Sequence, residues 1–275
     1  MCQSASTLTV AANITLQVTW PSTTAGNNGS GTVHMWLLAK FTANGNKFTG
    51  KSLTCGVSLP DLTLNGLGSI AAGGSKVQIA IPASVWTQPT MPTYASTGSL
   101  TGWNPGDMIT IDPTMALIGL ALPSGTDPTS YAWPSSSWSF PMGTTFTDDD
   151  GDMNPGITAS PLDGNGYVLP PTAIGLIGSA PSADKVYLAT RNEVSLSGSW
   201  KSCTDIAGTA MVTKFDNHVV GCHVKGMSAC TTGAANTQAD FIDQNRTVYA
   251  PGMATFVAKT LPDTAACADV LTAVP

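Results

Sequence analysis

Charge is what this sequence has least of. Only 10% of its 275 residues are charged, against roughly 25% in an average soluble domain. Eleven Lys and Arg stand against 17 Asp and Glu, for a net charge of −6. No basic patch is available to neutralise phosphates, which argues against a nucleic-acid partner. Glutamate is nearly missing: Glu193 is the single Glu beside 16 Asp. A helical bundle, whose surface needs Glu, Lys, Arg and Gln, is therefore disfavoured. A glycosidase built on two glutamates is ruled out, although Asp pairs stay open. Long apolar runs are absent too. The longest candidate, Met115 to Leu122, has the size of a strand, well short of the roughly 18 residues that span a bilayer as a helix. None of the six cysteines forms a Cys-x-x-Cys pair, so zinc-ribbon and thioredoxin-type sites have no basis.

The chain is rich instead in Thr (37), Ser (25), Gly (28) and Pro (19). Hydroxyls and amides must cover the surface in place of ions, and β-branched Thr suits an exposed strand face. Apolar residues come in short alternating runs between Gly, Pro, Asn and Asp, the pattern of many short strands. Ile14, Leu16, Val18 and Trp20 share one face of such a run. Residues 32–41 are apolar on both faces and read as a central strand. Asn44-Gly45 turns the chain as a hairpin does. Further strands are expected near 53–59, 62–64, 77–81, 108–111, 115–122, 186–190, 194–198, 209–215, 219–224, 247–249 and 254–258. Residues 238–244 fit a helical turn. Residues 263–271 fit a short C-terminal helix capped by Asp263.

The expected fold is all-β: a large antiparallel β-sandwich or barrel with a short C-terminal helix. Residues 1–12 read as an N-terminal tether, and 13–275 as one β domain. That domain consists of a strand block at 13–122, an irregular connection at 123–185 and a second strand block at 186–275. The connection carries nine of the 19 prolines and the densest acidic cluster. Long irregular stretches in compact proteins are usually functional or linkers.

Six cysteines, an even number in a charge-poor chain, favour disulfides and an oxidising compartment. Cys203 and Cys222 flank an expected strand pair and can bridge it, while Cys230 and Cys267 can tie down the C-terminal segment. Cys2 has two readings. It either pairs with Cys55 or, following Met1, stands where a mature lipoprotein carries its lipid and attaches the protein to a membrane. No signal peptide precedes it.

The best chemical motif is 146–156, Phe-Thr-Asp-Asp-Asp-Gly-Asp-Met-Asn-Pro-Gly. Asp148, Asp150 and Asp152 alternate, Gly151 permits a bend, and Asn154 offers an amide oxygen. Asp163 in a second oxygen-rich turn can complete a shell. Calcium takes six to eight hard oxygen ligands, so it is the expected ion, in a structural role. This stretch resembles the Asp-rich calcium loops of thrombospondin type-3 repeats and dockerins over about ten residues. The glycine register excludes a complete EF-hand loop. With Cys2 and the Thr/Gly/Pro content, the chain also resembles uncharacterised secreted or surface lipoproteins of Gram-negative bacteria. That resemblance implies an extracellular or outer cell-surface location and assigns no activity.

Catalytic signals are sparse. His218 and His223 are an odd number of residues apart, so on a strand they face opposite ways. Asp216 and His218 share a face and can form an acid–base pair, but no nucleophile motif accompanies them. His34, in an apolar strand, reads as a core histidine. Trp86, Trp103, Trp133 and Trp138 fall in irregular segments and read as plugs of the fold ends, with stacking on sugars or lining an apolar pocket as the alternative. The expected function is non-enzymatic binding of a small-molecule, glycan or protein ligand, with structural calcium. The alternatives are a self-associating subunit of an extracellular filament, and an extracellular hydrolase using Asp216 and His218.

Overall fold

A computed structural model describes residues 6–19, 30–60, 62–64, 75–134, 140, 142–163, 183–224, 243, 248–249 and 254–275. These residues form twelve strands, all paired antiparallel. They are β1 (Thr7–Thr19), β2 (Ser30–Asn44), β3 (Lys47–Ser58), β4 (Leu62–Leu64), β5 (Ser75–Ala80), β6 (Tyr94–Leu100), β7 (Met108–Ile118), β8 (Ile157–Asp163), β9 (Ala183–Trp200), β10 (Asp205–Val224), β11 (Val248–Tyr249) and β12 (Thr255–Leu261). Helix α1 spans Cys267–Ala273.

Eight of the strands close into a ring, in the order β1, β2, β3, β6, β7, β9, β10, β12 and back to β1. Of the two expected architectures, the molecule is thus a barrel, and both strand blocks contribute to it. Closure leaves the ring no edge for stray pairing. β9 is longer than its neighbour β7, whose ladder stops at Ile118 opposite Thr190. Beyond that point β8 takes over, pairing Ile157 with Leu188, and β5 and β4 extend it into a side wing.

β1 shows how alternation builds the core. Leu8, Val10, Ala12, Ile14, Leu16 and Val18 are all buried in the interior cluster, each of the larger ones gaining about 1.5–3 kcal/mol from burial. Phe41 and Phe48 pack against each other with centroids 4.6 Å apart, and Trp103 against Trp200 at 5.9 Å. The outer face of β1 is covered as well. Asn13 Nδ2 donates to the Pro275 carbonyl and Trp36 Nε1 to that of Val274. Val270 and Val274 cluster with Ala11 and Leu38, and Cys267 bonds Cys55.

Several expectations change. Residues 7–12 are not a tether: β1 starts at Thr7, and Ala11 is fully buried between barrel interior and C-terminal segment. Cys267 pairs with Cys55, which removes the pairings Cys230–Cys267 and Cys2–Cys55. Cys203 and Cys222 are both disulfide-bonded, but not to each other. Cys203 lies in the β9–β10 turn and Cys222 opposite Val186 near the far end of that hairpin, roughly 50 Å away at ordinary strand rise. Cys2 and Cys230, and with Cys2 the lipid anchor, lie outside the described residues, as does the 238–244 turn apart from Asp243. Asp263 does not cap α1; it accepts from the Thr7 and Thr9 hydroxyls, while Asp269 bonds the Ala266 N–H. His34 is half-buried on the outer face, against Asn13 and Thr15, rather than in the core.

Candidate metal centre

The acidic loop sits where β7 leaves the barrel and β8 joins β9. Two glycines make that junction. Gly119 and Gly156 both hold positive φ, 75° and 86°, a region that costs residues bearing a Cβ. A Cβ on Gly156 would stand 2.5 Å from the Leu188 carbonyl oxygen, and one on Gly119 2.7 Å from Gly156 Cα. The loop therefore lies directly on β9. It is closed by Gly156 N–H donating to the Thr147 carbonyl at 2.7 Å.

Within it the four aspartates divide. Asp149 is buried, and its Oδ2 accepts from the Gly119 N–H at 2.6 Å, so it holds the loop to the end of β7. The other three converge: one carboxylate oxygen from each of Asp148, Asp150 and Asp152 lies within 4.8 Å of the others. Asp148 accepts from the N–H groups of Asp152 and Met153. Asp152 accepts from the Asn154 N–H and the Thr158 hydroxyl. Asp150, 6% exposed, accepts from the Thr158 N–H through Oδ2. Its Oδ1 is buried and has no hydrogen-bond partner. Met153, 94% exposed, takes φ 67° at the tip.

The electrostatics fit this division. Burial pushes the Asp150 carboxyl above its ordinary range against the pull of the Thr158 N–H, and the charges of Asp152 and Asp148 push the same way. Asp152 is pushed up by burial, but the Thr158 hydroxyl, the Asn154 bonds and the charge of Lys185 outweigh this and leave it lowered. Three hard oxygens at this spacing can hold a metal ion, with water filling the solvent side. Sequence reasoning placed Asp148, Asp150 and Asp152 together, as they are. Asn154 serves them indirectly, its amide folded back on the Asp152 carbonyl. Asp163 stands apart, five positions along β8 from Thr158, roughly 16 Å at strand rise. Thr158, which braces two of the carboxylates, was missed; its place on the strand leaving the loop was the available signal.

The Asp216–His218 pair is not formed. Asp216 turns to Arg191, which meets it through Nε at 2.8 Å and Nη2 at 2.6 Å. His218, fully buried, bonds Asp243 Oδ1 and the Pro134 carbonyl, both at 2.8 Å. Both ring nitrogens are thus occupied, so the Asp216–His218 acid–base pair that the hydrolase alternative used is not formed. Trp133 lies flat on His218, 5.8 Å away at 8°, with Arg191 5.1 Å from its ring. Trp86 is buried in the core near the wing. Trp103 packs on Trp200, Trp133 on His218, and Trp86 stands in a cavity wall; Trp138 lies outside the described residues.

Comparisons with protein-family models, curated proteins and solved structures find no match to this chain.

Proposed function

We propose that this chain is an extracellular or outer-surface β-barrel, braced by disulfides and pinned by structural calcium, that acts by binding a ligand or partner rather than by catalysis. The observation that carries it is Asp150: its Oδ1 is a buried carboxylate oxygen without a donor, in a residue whose carboxylate clusters with two others. An unsatisfied buried charge is costly, and a cation at the cluster removes that cost. Calcium is favoured over magnesium because three clustered carboxylates exceed the one or two that magnesium usually takes, and calcium accepts them in flexible geometry. The ion would hold the loop between β7 and β8 on the face of β9.

Thermal unfolding in excess calcium against excess chelator tests this reading. A ligand at 100 times its Kd stabilises the folded state by about 2.7 kcal/mol. A domain of this size gains roughly 2–4 °C per kcal/mol. A rise of roughly 5–10 °C is expected, and none at all overturns the metal. The filament alternative is separated by light scattering, where a clean monomer at high concentration counts against it.

A further inference from the structure

Two cavities stack inside the barrel, of about 80 and 70 Å³ open to the centre of a water molecule, and both have Met35 and Asn192 in their walls. The lower one is bounded by Val10, Leu37, Phe41, Ile111, Leu196 and Phe256. Of its hydroxyls, Ser96 bonds Thr114 and Tyr94 bonds the Leu117 carbonyl, and Ser52 and Thr54 also stand in the wall. Each cavity exceeds the roughly 10–15 Å³ that one water needs, yet the mainly apolar wall of the lower one offers water few partners. It either stays dry or takes an apolar molecule.

The upper cavity differs. Ile79, Trp86, Ile118 and Ile157 line it, but Thr190 and Asn192 also enter it from the inward face of β9. Thr190 Oγ1 is buried without a hydrogen-bond partner. Asn192 is 7% exposed and stands in the walls of both cavities. Buried polar groups are nearly always paired, so an orphaned hydroxyl on a cavity wall, beside the amide of Asn192, calls for a partner that comes from elsewhere. Asp216 and Asp243 line the same chamber. Arg191 gives its guanidinium to Asp216 and to the Pro128 and Tyr131 carbonyls, so no cation is left to receive an anion there.

We propose that the barrel interior binds a small neutral amphiphile of the aliphatic alcohol class, its chain in the lower cavity and its one polar group between Asn192 and Thr190. The path from Asn192 to Leu196 along β9 is roughly 13 Å, the reach of a medium-length chain. Thr190 and Asn192 both donate and accept, which matches a hydroxyl. A carboxylate head would face two aspartates and is rejected. This rests on the binding part of the proposed function and gives that part its ligand class.

The test uses the full chain and the neutral dye N-phenyl-1-naphthylamine, read by fluorescence, with 1-octanol and octanoate as competitors. Dye enhancement is expected, displaced by octanol and about tenfold or more weakly by octanoate. Ala258→Leu fills the lower cavity and should abolish dye binding. Asn192→Leu, similar in volume, should keep dye binding and reduce octanol competition about tenfold. No dye enhancement while calcium still raises the unfolding temperature overturns the interior site and leaves the calcium reading standing. Dye binding with no calcium shift does the reverse. Equal competition by octanol and octanoate, or unchanged dye binding in a folded Ala258→Leu chain, also overturns it.

Discussion

His218 and Asp243 lie 25 residues apart in the chain, and Nδ1 of one is 2.8 Å from Oδ1 of the other. The same carboxylate accepts the Val219 N–H at 2.7 Å, and the other ring nitrogen takes the Pro134 carbonyl. One imidazole thus ties β10 to two distant segments. His218→Ala leaves a buried carboxylate without its main partner, which typically costs about 3–5 kcal/mol. Asp243→Asn keeps a hydrogen-bonding group and should cost less. Urea midpoints measure both; a loss under about 1 kcal/mol for His218→Ala would mean the histidine is not the tie described.

The Cys55–Cys267 bond closes a loop of 212 residues and anchors α1 to β3. Replacing both by Ser should cost about 2–5 kcal/mol. Native-state hydrogen exchange should show α1 opening first, because its contacts to β1–β3 are few once the bond is gone. Uniform loss of protection across the barrel would contradict that order.

Calcium response should separate the aspartates. Asp150→Asn should abolish the calcium-dependent rise in unfolding temperature, since it removes the unpaired oxygen from the cluster. Asp149→Asn replaces the charged acceptor of the Gly119 N–H by a neutral one and should lower stability by about 1 kcal/mol, both with and without calcium. If Asp149→Asn removed the calcium response and Asp150→Asn did not, the site would be misassigned.

Gly156→Ala should cost more than the roughly 1–2 kcal/mol of a strained φ alone, because its Cβ meets the Leu188 carbonyl at 2.5 Å. The loop would lift off β9. Calcium titration by calorimetry should then show weakened binding even though every carboxylate is intact.

Acid should loosen the junction between β1 and the segment after β12. The Thr7 and Thr9 hydroxyls, and then Lys40, hold the exposed Asp263 carboxyl below its ordinary value of 3.8. A folded-state pKa below the unfolded one contributes stability that is complete above 3.8 and is lost as pH falls through the folded value. Unfolding midpoints followed downward from pH 5 should therefore fall. A Thr7→Val, Thr9→Val chain should start lower and fall less steeply.

Alternation in β1 was plain from sequence because bulky apolar residues point inward there, and β2 was legible as a run apolar on both faces. β6 was not. Its inward positions are Ser96, Gly98 and Leu100, and small residues facing a cavity leave no hydrophobic period to read. β8 hid in the Pro-rich connection because Pro161 interrupts it, close to the wing rather than in the ring. The β9–β10 hairpin read as four short strands because its register shifts near Val212 and Val219 break the period. The metal trio followed from Asp at alternating positions. That Asp149 turns away, and that Asp163 is out of reach, depends on where the junction glycines set the loop, which residue types alone do not tell. The Cys55–Cys267 pairing spans most of the chain and had no local signal at all.

The ring has an implication for how the molecule is made. β1 is flanked by β2, its neighbour in the chain, and by β12, and Thr7 meets Asp263 across 256 residues. During synthesis one side of β1 therefore waits, its N–H and C=O groups unpaired, until almost everything else has emerged. Nascent chains in that state are templates for stray strand addition. Closure joins the most distant parts last, so maturation should be slow for its size and should depend on whatever shields that first edge in the interval.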